Sequence, residues 1–198
     1  AERLETTHVV DAMLDALVDE MVEETQPELV GLSVPFPGML VAALRIGRRL
    51  KARGITVVLG GGYVNTELRE VEEPRLWDCV DALTYDDGEG PLLALLEHFE
   101  GGKDTRHRTR TRDGLHSATA GRPAVTPIAD YADLPLRDYL QLIDGENPAH
   151  RLWSDGRWNK LTLAHGCYWK KCAFCDLSLD YISRYEPAQV AALVDKME

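Results

Sequence analysis

From Val9 to Val22 the apolar residues Val9, Val10, Met13, Leu14, Leu17, Val18, Met21 and Val22 recur at helical spacing with acids between them, which predicts an amphipathic helix. Pro27 breaks the pattern, and Leu29 to Val34 forms a short apolar run between turn residues, as a buried strand does. Pro37 opens a second helical stretch that runs to about Arg53 and stops at Gly54. The same grammar repeats. A strand from Ile55 to Leu59 leads to a turn at Gly60, Gly61 and Gly62 and a helix from about Asn65. A strand from Val80 to Tyr85 leads to a turn from Asp86 to Gly90 and a helix from Pro91 to Phe99. Strand starts lie about 26 residues apart, the length of a βα unit with a right-handed crossover. The expected fold is α/β: a flavodoxin-like (Rossmann-type) parallel sheet with helices on both faces. Ligands of such sheets bind at the carboxyl ends of the strands, which here are the turns at Ser33 to Gly38, Gly60 to Tyr63 and Asp86 to Gly90, the last containing Glu89.

The pattern changes after Gly101. Lys103, Arg106, Arg108, Arg110 and Arg112 alternate with polar residues up to Asp113-Gly114, a hairpin-type turn. A solvated two-stranded flap fits this stretch better than a nucleic-acid contact, because no aromatic residues are interleaved with the arginines. Residues 123 to 150, rich in proline and acid, read as an ordered connector. A third segment begins at Lys160, with a strand from Leu161 to Ala164, a cysteine-bearing loop and a helix from about Glu186.

With 198 residues, 44% of them hydrophobic, the chain can bury one full core and a second, smaller unit. The 33 acidic residues outnumber the 22 basic ones, and the net charge of -11 argues against general nucleic-acid binding. No apolar run is long enough to span a bilayer, and the opening AERLETTH lacks the pattern of a secretory signal, so a cytoplasmic location is expected. Three of the four cysteines fall within nine residues, unlike a spread disulfide framework, and suggest metal chemistry in a reducing compartment. Both ends read as cuts: the chain opens in a helical approach and stops at Glu198 within the helical pattern Pro187 to Glu198.

The sharpest signal is LAHGCYWKKCAFCDLSLDY, with Cys167, Cys172 and Cys175 spaced C-x4-C-x2-C in one loop after a strand. Three thiolates so close can converge on a metal without long-range chain closure. Three readings stand at this point, and in the blandest the three are merely buried core cysteines. A structural zinc site wants four closed ligands, and His165 could supply the fourth in a non-catalytic zinc-binding or corrinoid-binding module. Alternatively, three ligands hold an iron-sulfur cluster with one iron left open. Lys170 and Lys171 in the same loop either attract a reductant or are solvated loop charges. Cys79, at the start of a strand, reads as core.

The loop resembles the cluster-binding motif of the radical S-adenosylmethionine superfamily, usually C-x3-C-x2-C with an aromatic residue just before the last cysteine. Phe174 holds that aromatic position, and the first spacer is one residue longer here. The resemblance implies a [4Fe-4S] cluster on Cys167, Cys172 and Cys175, S-adenosylmethionine on the open iron with Phe174 against its adenine, and reduction by an electron donor such as flavodoxin or ferredoxin. It implies catalysis on a small-molecule substrate, with methylation, cyclisation or rearrangement as outcomes, while the charge and hydropathy set aside nucleic acid and membrane as partners.

Residues 1–100 resemble the cobalamin-binding domain that precedes the radical barrel in a large subgroup of these enzymes. That domain carries a D-x-H-x-x-G loop, an S-x-L stretch and then a Gly-Gly pair. Ser33-Val34-Pro35 and Gly60-Gly61 follow the second and third elements, with Pro35 in the leucine position. By this resemblance Ser33, Val34, Gly60, Gly61 and Gly62, with Glu89 of the third turn, are candidate cofactor contacts. For Gly60 to Gly62 a ligand-free tight turn fits equally well. The D-x-H-x-x-G element has no counterpart, His8 lacks its context, and the first strand with its histidine loop is expected to be missing. The implied organisation is an incomplete cobalamin-type domain over 1–100, a hairpin and linker over 101–155, and the first βα unit of a partial TIM-type radical barrel over 156–198. Such a piece would be inactive alone.

Overall fold

Five strands form a single mixed sheet in the order β1 (Leu29–Ser33), β2 (Thr56–Gly60), β3 (Ala82–Thr84), β4 (Thr109–Thr111) and β5 (Gly114–His116). The first three are parallel, with Leu29 opposite Thr56 and Val58 opposite Ala82. β4 runs antiparallel to β3, and β5 antiparallel to β4. In this computed structural model the described residues are 2–5, 8–116, 131–135, 138–139, 149, 152, 161–195 and 197. Two compact units comprise Ala1–Arg122 and Pro123–Glu198. Most of the connector expected over residues 123 to 150 lies outside the described residues.

Around the sheet run α1 (Glu2–Glu5), α2 (Val9–Thr25), α3 (Leu40–Lys51), α4 (Gly62–Glu67) and α5 (Glu89–Phe99). Successive strand residues point to opposite faces. Val57, Leu59 and Leu83 therefore join the larger core with Val18 of α2, Leu50 of α3 and Val64 of α4, while Val58 and Ala82 meet Leu95 of α5 on the other face. Helices cover both faces, as expected, in a mixed α/β arrangement compatible with a Rossmann-like fold. Single-turn 3-10 segments at Pro37–Met39 and Pro74–Asp78 precede α3 and β3. Gly54, at φ +78°, ends α3 where its sequence signal lies.

Two features depart from the sequence reading. The first concerns the hairpin, which belongs to the sheet: Thr109 is fully buried, and Arg106, Arg108 and Arg110 are half-buried while Arg112 stays exposed. Arg108 pairs with Asp86, Arg110 donates to the Arg69 carbonyl at 2.8 Å, and Arg106 pairs with Asp104. Three arginines of the stripe are therefore engaged internally, with Asp86 as a shared anchor for Arg69 and Arg108.

The second is α2, which presents acids to α3. Asp15 receives Arg45 Nε at 2.8 Å, and Asp19 pairs with Arg49 and Arg53, while Val10, Met13 and Leu17 stay more than 60% exposed. Periodicity detects an apolar stripe but not which face meets a neighbour. The basic face of α3 decides it here.

α3 packs so closely at Gly47 that a Cβ there would lie 2.2 Å from the Cys79 carbonyl oxygen. Alanine gains ~1 kcal/mol of helix propensity, but overpacking costs about 1–3 kcal/mol and the obstructing atom is backbone. Gly47→Ala is expected to lower the melting temperature. A rise would show that the helix can slide off that contact.

The Arg45 hydrogen bonds hold Asp15 below its usual value of 3.8, and Arg49 does the same for Asp19. Depressed carboxyl pKa values stabilise the fold above about pH 4, and that contribution disappears as the pH falls through the folded-state values. Acid unfolding of Asp15→Asn, followed by circular dichroism, should show a shallower loss of stability below pH 4 than the parent protein.

Candidate functional site

Two sets of residues carry candidate chemistry, one in each unit. In the first unit, a cleft of about 350 Å³ lies at the carboxyl ends of β1, β2 and β3, next to α5. Ser33, Gly60, Gly61 and Glu89 line it together with Gly31, Val58, Thr84, Gly88 and Leu92. Four of the residues singled out in the sequence thus meet in one cavity. The other two lie elsewhere. Val34 is fully buried in the larger core, and Gly62 starts α4 beneath the Pro35 carbonyl.

Each glycine has a distinct physical reason. Gly61 adopts φ +104°, and a Cβ on it would come within 2.7 Å of the Val34 nitrogen. That close approach holds the ends of β1 and β2 together, along with the Val34 N–H donating to the Gly60 carbonyl at 2.7 Å. Gly61 is thus explained by chain packing alone. At Gly60 a Cβ would crowd Thr84 Oγ1 at 2.6 Å, so the bare backbone keeps the cleft floor low. A Cβ on Gly31 or Gly88 would meet nothing within 4 Å. Gly31 and Thr84 went unnoticed in the sequence. A glycine inside an otherwise apolar strand was the available signal.

Next to the cleft, Asn65 clamps the β3 turn: its Nδ2 donates to the Asp86 carbonyl at 3.3 Å and its Oδ1 accepts the Asp86 N–H. His8, far from any D-x-H-x-x-G context, sits at the start of α2, where its backbone N–H donates to Asp11 Oδ2 at 2.9 Å.

In the second unit, β6 (Ala164–Gly166) pairs antiparallel with β7 (Tyr185–Pro187), and the cysteines lie in the connection between them, ahead of α6 (Asp180–Ser183). α7 runs from Val190 to Asp195. The helix read from about Glu186 therefore begins later, and Glu186 lies in a strand. A residue before proline is disfavoured from the helical region, and Pro187 follows Glu186. The expected strand-loop-helix unit is a strand-loop-strand hairpin followed by a helix.

Gly166 positions the first cysteine. Its φ is +75°, and a Cβ there would lie 1.6 Å from the Arg184 carbonyl oxygen, which also accepts the Cys167 N–H at 3.0 Å. The C-x4-C spacer turns through Lys170 in the left-handed region at φ +54°. A tight turn follows, with the Cys175 N–H donating to the Cys172 carbonyl at 3.2 Å. Phe174, at the tip of that turn, is 88% exposed.

The thiols sense both the backbone and one another. Hydrogen bonds from the backbone N–H groups of Lys170 and then Trp169 bring the Cys167 thiol below its ordinary 9.0. Cys175 is pushed up by desolvation and then by the neighbouring Cys172 and Cys167 sulfurs. Cys79 is raised by burial inside the first unit, as a core thiol should be. Among the described residues, no group of three or more His, Cys, Asp or Glu side chains is gathered tightly enough to hold a single metal ion. By donor type, three soft thiols in one loop, Cys167, Cys172 and Cys175 are the candidate ligands for an iron-sulfur cluster.

Thiolates, not thiols, attack alkylating agents. In metal-free protein, Cys167 should react with iodoacetamide faster than Cys175 at neutral pH, with its rate profile centred at lower pH. Peptide mapping that finds Cys175 modified first would contradict the backbone stabilisation of Cys167. Gly166→Ala should abolish that preference, because the loop can no longer rest on Arg184.

No protein-family model, curated protein or solved structure matches the chain.

Proposed function

We propose that this chain carries the cluster loop of a radical S-adenosylmethionine enzyme, preceded by a cobalamin-type α/β domain. The observation that carries the reading is the cysteine loop. Three thiols leave one strand end in a connection closed by a hairpin, electrostatically coupled and with no fourth cysteine among them. Soft thiolate ligation suits a low-potential [4Fe-4S] centre, which when bound would supply the electron for reductive cleavage of S-adenosylmethionine. The chain's own contribution is positional. Gly166 and Arg184 set Cys167, the Lys170 and Trp169 amides favour its thiolate, and the Cys172–Cys175 turn sets the other two ligands. Phe174 offers an uncovered ring beside the last ligand, suited to stacking on adenine.

The strand-end cleft supports the cobalamin-type half of the reading at the level of shape. Gly31, Gly60 and Gly88 leave bare backbone under a largely apolar cavity, and Ser33, Thr84 and Glu89 supply its polar atoms. Those residues would hold a flat nucleotide-like tail. His8 lies outside a D-x-H-x-x-G context, and its backbone N–H serves the start of α2.

Reconstitution with iron and sulfide under anaerobic conditions tests the cluster directly. The expected product absorbs broadly near ~410 nm and holds about four irons per chain. Cys172→Ala should lose iron, while Cys79→Ala retains it. One tightly held zinc without colour, lost on His165→Ala, would establish the zinc module instead.

A further inference from the structure

We infer that a cavity in the first unit, between α1, α3 and the stretch from Leu68 to Cys79, binds an uncharged aromatic molecule the size of indole. It encloses about 300 Å³ and shares no lining residue with the strand-end cleft. The inference therefore stands apart from the cluster and cobalamin readings. Leu4, Leu40, Leu44, Leu68, Val71 and Leu76 form the wall, all of them in the larger core or packed against it. Cys79 completes the lining at 4% exposure. Burial pushes its thiol above the ordinary range, so that side of the cavity is uncharged as well.

Size and charge together fix the ligand class. An apolar cavity of about 150 Å³ stays dry and takes up benzene. A cavity of about 300 Å³ has room for a fused pair of rings. The charged groups at its rim are already engaged with one another. Arg48 donates to Glu5 Oε1 at 2.8 Å and to the Leu4 carbonyl at 2.5 Å, which ties α1 across one side of the cavity. Arg75 Nε donates to Glu73 Oε1 at 2.8 Å. Asp78, at the same rim, is exposed and adds a further negative charge. A carboxylate or phosphate would have to displace Glu5 or Glu73 from its arginine while facing Asp78. An ammonium group would leave water for a wall of leucines, and burying an uncompensated charge is costly. A neutral ring meets neither obstacle and gains by covering apolar surface.

The test uses the full chain without iron and 5-fluoroindole as the probe, followed by fluorine NMR. Saturable binding is expected, with 5-fluoroindole-2-carboxylate binding ~10-fold or more weakly. Leu44→Trp fills the cavity from α3 and should weaken 5-fluoroindole by ~10-fold or more, with circular dichroism reporting whether the fold survives. Should that variant fail to fold, the parent protein supplies the second readout. Ring protons of the bound probe should give nuclear Overhauser contacts to the methyl groups of Leu44 and Leu76. Absence of saturable binding to the parent would overturn the assignment. So would contacts to Val58 and Leu92 of the strand-end cleft instead, or equal affinity in a folded Leu44→Trp. A carboxylate that binds as tightly as the neutral probe would overturn the ligand class. Iron uptake enters none of these readouts, so a failed cluster reading leaves them intact.

Discussion

Backbone-to-backbone approach at glycine is the constraint on which both units depend. At Gly61, Gly47 and Gly166 a single added carbon would lie 2.7, 2.2 and 1.6 Å from main-chain atoms of Val34, Cys79 and Arg184. A main-chain atom cannot rotate aside as the tip of a lysine can. These contacts therefore fix, respectively, the meeting of the β1 and β2 ends, the seating of α3 and the exit of the cysteine loop. In each case hydrogen bonding or burial holds the partner in place: the Val34 N–H bonds to Gly60, Cys79 is buried, and Arg184 accepts from Cys167.

Charge in the first unit is used mostly for holding elements together. α2 and α3 meet through Asp15, Asp19, Arg45 and Arg49, and Lys51 reaches Asp81 at 2.5 Å, while Asp81 also accepts the Val57 N–H. The turn after β3 is anchored by Asp86, which Arg69 and Arg108 approach from two elements. The strand-end cleft, on the α5 face, is lined mostly by small and apolar residues. Ser33, Thr84 and Glu89 are its few polar points.

The second unit works differently: among its described residues only Leu179 and Ala188 are buried. Its short hairpin carries a loop that displays Tyr168, Trp169 and Phe174 to solvent. Local hydrogen bonds do the ordering: the amides of Lys170 and Trp169 act on Cys167, and Cys175 bonds back to Cys172. A site made from one contiguous stretch can be specified by spacing alone. For that reason the proposed ligand set depends so little on distant parts of the chain.

What the sequence determined by itself was whatever depends on near neighbours. The periodicity around Val9 to Val22 located α2, the apolar runs located three parallel strands, Asp113-Gly114 located the hairpin turn, and C-x4-C-x2-C located the thiol loop. Pairing was beyond its reach. That β4 and β5 join the sheet, that α2 meets α3 through Asp15 and Asp19 while Val18 faces the core, and that Val34 sinks into the core while Gly31 and Thr84 open onto the cleft were decided by the tertiary structure. The reason is physical: propensity and spacing act over a few residues, whereas the face a side chain presents depends on whichever distant element supplies the compensating charge or the fitting surface.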